Sequence, residues 1–290
     1  MKRLIRFKEW GQNVDILQVP DEDYIEQSDG SLEKKEYRVR TDADGNISTG
    51  NDLDDEGEII LMLGDSFVES LYVDEQKRFP SVVERQLVDN GLNLRVWNGG
   101  YSGATSLHLY INLVAKYLKF SSKIRAVLYF QPSCDSGPLH HSNSYWNQNK
   151  FFAPIIESRN NKLNSALFDS SLNFEGLYRI HRVLHGTCIE YGIPIVTVKT
   201  PSKNINWGAD PLQDKIFRNK KYWEYRKNFL QSIADVAEEV ANEFKSAVFD
   251  LKAEMNEYPL YFYDEVHLNE AGSEKVGKII SDYLIKNIIK

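Results

Sequence analysis

Ser66 stands behind Gly64 and Asp65, directly after the apolar run Glu58-Ile59-Ile60-Leu61-Met62-Leu63. Near the far end of the same 290-residue chain, Asp264 and His267 are separated by Glu265 and Val266. A serine hydroxyl is a poor nucleophile until a base takes its proton, and that base needs a carboxylate to orient it. One turn of chain can bring an i, i+3 aspartate and histidine together. Two short segments therefore carry all three members of a Ser-His-Asp triad. Singly, each segment is ordinary: Gly and Asp favour turns, and an Asp and a His ahead of a helix can simply face water. Their order, at opposite ends of an alternating strand and helix pattern, points to nucleophilic catalysis.

At these residues the chain resembles the SGNH, or GDSL, hydrolases. The resemblance covers roughly residues 55–290 and rests on GDSF (Gly64 to Phe67) and DEVH (Asp264 to His267). It implies that Ser66 is the nucleophile, His267 the base and Asp264 its orienting acid. It also implies an oxyanion hole from the Ser66 backbone N–H and a glycine in the loop after the second strand. Gly103, in Asn98-Gly99-Gly100-Tyr101-Ser102-Gly103-Ala104-Thr105, is the matching glycine. The family's third block, Gly-x-Asn-Asp, is not matched. The equivalent stretch reads Gln131-Pro132-Ser133-Cys134-Asp135, which puts Cys134 at the asparagine position. A thiol is a weak donor beside a side-chain amide. The expected hole is therefore the two backbone donors, with Ser133 or Cys134 as the third partner.

These residues need a scaffold, and the hydrophobic pattern supplies one. Residues 58–63 read as a buried parallel strand. Further strands are predicted at 94–97, 126–130, 193–198 and 247–249. Between them lie predicted helices: one begun by Pro80 and stopped by Gly91, then about 105–118, 177–191 and 221–244. Asn269 caps a final helix. Strand-helix alternation predicts an α/β fold, a three-layer α/β/α arrangement around a flavodoxin-like five-stranded parallel sheet. Ligands bind such sheets outside the carboxyl ends of the strands, where Ser66, Gly103, Cys134, Asp264 and His267 all fall. The absence of a Gly-x-Ser-x-Gly elbow argues against the α/β-hydrolase fold.

Two segments lie outside this repeat. Residues 1–55 are polar and turn-rich, with Tyr37-Arg38-Val39-Arg40 alternating like an exposed strand. They read as a small β-extension packed on a catalytic domain at 56–290. From Asp135 to about Asn173 runs a long connection carrying His140, His141, Tyr145, Trp146, Phe151 and Phe152. Loops of this length often carry function. Tyr145 and Trp146, with Asp65, are the candidate substrate contacts, because aromatic faces among small polar groups suit sugar or acyl recognition.

The remaining chemistry is thin. The net charge of −7 excludes a basic nucleic-acid surface. Cys134 and Cys188 form no disulfide framework. His181 and His185 share a helix face without a zincin glutamate, so no metal site is expected. Neither GxGxxG nor Walker A is present, so no cofactor is expected. No signal-peptide core and no apolar run of membrane-spanning length are found, and the expectation is a cytoplasmic protein. The function expected is a serine esterase removing small O-acyl groups, acetyl foremost, from a carbohydrate or small metabolite through an acyl-enzyme. An O-acyltransferase using the same triad and a non-catalytic binding module are the alternatives.

Overall fold

The computed structural model describes the chain apart from residues 1–2, 52–56, 142, 148, 150, 158–171, 173, 204, 211–216, 218, 256–258 and 290. Three short strands come first: β1 (Arg3–Ile5), β2 (Asp15–Gln18) and β3 (Tyr37–Arg40). Then follow β4 (Glu58–Leu63), β5 (Leu94–Asn98), β6 (Ile124–Phe130), β7 (Ile155–Glu157), β8 (Ile195–Val198) and β9 (Ala247–Phe249). The helices are α1 (Glu22–Glu26), α2 (Ser66–Glu69), α3 (Phe79–Asp89), α4 (Ser106–Asn112), α5 (Ser136–Leu139), α6 (Glu175–Glu190), α7 (Lys220–Glu243), α8 (Leu251–Met255) and α9 (Glu270–Asn287).

The main sheet has the order β5-β4-β6-β8-β9, all neighbours parallel. Taken in chain order this is 2-1-3-4-5, the flavodoxin-like doubly wound arrangement. Alternate residues of β4 point to opposite faces. Ile60 and Met62 pack with Val83 and Leu87 of α3 and Val276, Ile280 and Leu284 of α9. Ile59, Leu61 and Leu63 pack with Leu109 of α4 and Leu184 and Cys188 of α6. Both faces are covered, which is why β4 reads as a continuous apolar run rather than an alternating one. Each fully buried aliphatic side chain contributes about 1.5–3 kcal/mol to holding these layers.

The sheet and its helices follow the sequence pattern closely, with two differences. The helix predicted to run to about residue 118 is α-helical only over Ser106–Asn112. Leu113–Tyr117 is a π turn and Leu118–Phe120 a 3₁₀ turn. Apolar spacing senses which face is buried, not whether the backbone bond skips four residues or five. The long connection after Asp135 is also not wholly loop. Its β7 pairs antiparallel with β1 at the N-terminus, a strand too short for any periodicity to mark. β3 pairs antiparallel with β2. Tyr37 and Val39 are buried where an exposed strand was expected.

Residues 52–56, where the boundary between extension and catalytic domain was expected, lie outside the described residues, as does 158–171 of the long connection. The described N-terminal residues touch the main sheet directly: Ile47 bridges to Asn98 of β5, and the Ile47 amide donates to the Asn98 carbonyl at 3.0 Å. Among the described residues no helix is long and apolar enough to cross a membrane.

Candidate active site

β4 ends at Leu63 and the chain turns at once into α2, whose first residue is Ser66. The turn is tight enough that a Cβ on Gly64 would sit 2.2 Å from Val68 Cγ2, so only glycine fits. Asp65 is the N-cap, its carboxylate accepting from the Phe67 amide at 3.1 Å. This sets Ser66 at the carboxyl edge of the sheet, at the N-terminal, positive end of a short helix.

The other half arrives from the segment before α9. Asp264 Oδ1 accepts from the backbone N–H groups of Val266 at 2.9 Å and His267 at 2.7 Å. These two bonds close the turn that brings the i, i+3 pair together. Asp264 Oδ2 lies 2.6 Å from His267 Nδ1, and His267 Nε2 lies 2.7 Å from Ser66 Oγ. The network assigns the tautomer: Nδ1–H donates to Asp264, leaving Nε2 to accept the Ser66 hydroxyl. Burial pulls the His267 pKa down, but Asp264, with Asp65 and Glu69 behind it, more than reverses this, and the net direction is up. Asp264 goes the opposite way: burial raises it, and the charge and hydrogen bonds of His267 bring it below the usual carboxylate range.

Gly103 occupies the loop after β5 with φ +75°, in the left-handed region that favours glycine. Its N–H takes no acceptor among the described residues. The loop is tied to α2 by Ser102, whose hydroxyl donates to Glu69. Glu69 also accepts from Trp10 Nε1 at 2.8 Å. Burial pushes the Glu69 carboxyl up, and those two donors only partly offset it. Glu69 thus clamps the Gly103 loop and an N-terminal tryptophan to the helix that carries Ser66.

The N-terminal segment also reaches the base. The Tyr24 hydroxyl lies 3.3 Å from His267 Nδ1, and Tyr263 stacks on the imidazole with centroids 5.6 Å apart and planes at 17°. Tyr24, Tyr72 and Tyr263 form edge-to-face contacts that fix these rings. Sequence reasoning did not single out Glu69, Tyr24, Trp10 or Tyr263. Glu69 lies one helical turn after Ser66 and Tyr263 directly precedes Asp264, so both were within reach. Nothing local marked Tyr24 or Trp10.

Four expected contacts are corrected. Asp65 is 2% exposed and its carboxylate is committed: besides the Phe67 amide it accepts from Ser133 Oγ at 3.0 Å and the Cys134 amide at 3.3 Å. It caps and latches rather than binding substrate. Ser133 spends its hydroxyl proton on Asp65, so it is not an oxyanion donor in this arrangement. The Cys134 thiol is pushed well up by burial and by Asp65, so it stays protonated and is no thiolate nucleophile; an S–H is in any case a weak donor beside an amide. Tyr145 is fully buried with Leu139, Leu177 and Phe229; it anchors the long connection and cannot face a ligand. Trp146, by contrast, is 65% exposed.

The other histidines are engaged elsewhere. His140 bonds the Ser136 carbonyl and the Tyr225 hydroxyl. His181 meets Tyr129 and Ser106 hydroxyls, and His185 those of Thr197 and Ser246. No group of three metal-ligating side chains comes together among the described residues.

A family model described as GDSL-like lipase/acylhydrolase matches residues 60–280. No curated protein sequence matches the chain. Among solved structures, the acetyl xylan esterase AlAXEase superposes with a TM-score of 0.53 at 12% identity, over 78% of this chain and 99% of that one. A lipase/acylhydrolase from Enterococcus faecalis gives 0.51 at 17%, over 80% and 97%. Axe2, an acetylxylan esterase from Geobacillus stearothermophilus, gives 0.50 at 18%, over 81% and 95%. At these identities the superpositions speak for the fold.

Proposed function

Because the chain belongs to the GDSL-like lipase/acylhydrolase family, a family of carboxylic ester hydrolases, we propose that it is a serine esterase removing small O-acyl groups, acetyl foremost, from a carbohydrate alcohol. The observation that carries this reading is the unbroken chain Asp264–His267–Ser66, with links of 2.6 and 2.7 Å. His267 takes the Ser66 proton as Oγ attacks the ester carbonyl. Asp264 stabilises the imidazolium that forms. The N–H groups of Ser66 and Gly103 receive the developing oxyanion, each donor contributing about 3 kcal/mol to the transition state. The intermediate collapses, the alcohol leaves with the proton from Nε2, and water repeats the cycle on the acyl-enzyme. Two of the superposed structures are acetyl xylan esterases, which supports the acetyl and carbohydrate part of the reading.

The test is direct. Wild-type protein should hydrolyse p-nitrophenyl acetate and be labelled at Ser66 by a fluorophosphonate. Ser66→Ala should lose more than about a thousandfold in kcat while keeping its thermal midpoint. Labelling that survives Ser66→Ala would sink the assignment. Acetyl release that requires an added sugar acceptor would move the reading to acyl transfer.

A further inference from the structure

We propose that Lys8 and Glu69 are positioning residues that hold the Ser102–Gly103 peptide in the orientation that offers the Gly103 N–H to the oxyanion; this rests on the serine-esterase reading above. The loop after β5 turns at Tyr101-Ser102-Gly103-Ala104, where the Ala104 amide donates to the Tyr101 carbonyl at 3.0 Å. Gly103, third in the turn, has φ +75°, while Ser102 keeps a negative φ. That combination is a type II turn. A type I turn joins the same four residues with the central peptide, here Ser102–Gly103, rotated by roughly half a turn. A planar trans peptide points its C=O and N–H in opposite directions. Rotation would therefore turn the Gly103 N–H away and swing the Ser102 carbonyl oxygen, a partial negative charge, toward the side it left.

The backbone on either side of this peptide is already fixed. The Tyr101 amide donates to the Gly64 carbonyl at 3.3 Å, and a Cβ on Gly100 would lie 2.3 Å from the Glu69 nitrogen, so the loop rests directly on α2. What remains free is the central peptide, and two charged side chains grip it at Ser102. The Glu69 carboxylate, buried in the fold, accepts from the Ser102 hydroxyl and from its backbone N–H. Lys8 Nζ donates to the Ser102 carbonyl at 3.4 Å and stands 5.6 Å from the centre of the Tyr101 ring. The same ammonium would lie 3.0 Å from a Cβ on Gly103, which places it on the carbonyl side of the peptide. This charge-assisted bond exists only while the Ser102 oxygen points at Lys8, and so it opposes the flip. It also polarises the peptide, which strengthens the N–H at the far end as a donor. With Cys134 where the resembled family has an amide, the hole leans more heavily on this one N–H.

The experiment measures kcat and KM for p-nitrophenyl acetate, and inhibition by phenylboronic acid, in wild type, Lys8→Met, Lys8→Arg and Ser102→Ala. Ser66 Oγ bonds to boron, its proton passes to His267, and the anionic tetrahedral adduct sets an oxygen where the oxyanion forms. Ser102 is exposed and Lys8 half-buried, so these variants should fold. Lys8→Met and Ser102→Ala should each lose about five- to tenfold in kcat with KM nearly unchanged, and bind the boronate more weakly by a similar factor. Lys8→Arg keeps a cationic donor and should stay within about threefold of wild type. Either folded variant with wild-type kcat, a lower kcat with unchanged boronate affinity, or a Lys8→Arg as slow as Lys8→Met overturns the positioning role. A wild type that neither hydrolyses the ester nor takes a fluorophosphonate label is a different failure: it sinks the esterase reading, and this inference with it.

Discussion

The Ser66 hydroxyl can be activated only while His267 is neutral, so the surroundings of one imidazole set the acid limit of activity. Asp264, Asp65 and Glu69 together lift the His267 pKa above the ordinary value of 6.5 despite burial. The base is thus protonated, and the enzyme idle, to a higher pH than for a free imidazole; kcat/KM should rise through a single ionisation above 6.5. Asp264→Asn removes the largest raising charge. Its acid limb should move to lower pH while kcat drops on the order of a thousandfold or more, and an unmoved limb would mean that Asp264 does not govern the base. Cys134 permits a gain-of-rate test. Cys134→Asn restores an amide where this chain has a thiol, a weak donor, and kcat on p-nitrophenyl acetate should rise up to about a hundredfold with KM unchanged. An unchanged kcat would place side chain 134 away from the oxyanion. The triad was legible because its chemistry demands particular residue types at a particular spacing. The partners of Asp65 were not, because Ser133 and Cys134 reach it across strands that no local spacing connects.

At the scale of elements, the site depends on the β4–α2 turn staying in register with the loop after β6. Asp65 performs that joining: one carboxylate caps α2 and accepts from Ser133 and Cys134. Asp65→Ala removes the cap and strands two donors in a buried setting. Unfolding free energy should fall by about 2–3 kcal/mol, lowering the thermal midpoint by roughly 5–10 °C, with kcat falling as Ser66 loses its fixed position. Asp65→Asn retains an acceptor for the cap and should fall between the two. A stable, active Asp65→Ala would show the latch to be dispensable. The main sheet and α3, α6, α7 and α9 could be read from sequence because burial on one or both faces imposes periodicity. The β1–β7 pair, three residues on each strand, could not, since so short a pairing is decided by tertiary contact. The π turn after α4 escaped for a related reason: it alters backbone bonding without altering which side chains are buried.

The whole molecule packs several ionisable groups out of water, and their sum shapes its response to pH. Burial depresses His108 and His181 to about 3 and His185 to about 4. Each stays neutral in the fold where the unfolded chain takes up a proton, so each withdraws stability as pH falls from 6.5 toward 4. Two buried carboxylates act oppositely. Burial raises Asp135 to about 7 against the bonds it accepts from Ser106, and it raises Glu69 as well. Their contributions are complete in acid and are lost as pH rises from about 4 through the folded value. His267 does not enter this window, because its raised pKa matters only above 6.5. With His141, which burial and His140 also lower, four depressed histidines oppose two raised carboxylates, so the thermal midpoint should fall between pH 6.5 and 4. Asp135→Asn deletes the larger opposing contribution without adding a charge. The variant should gain on the wild type near pH 7, where an ionised Asp135 is penalised, and descend more steeply toward pH 4. Parallel melting curves for the two proteins across this range would show that Asp135 ionises in the fold as freely as in the unfolded chain, and that its buried contacts with Ser106 carry no pH dependence.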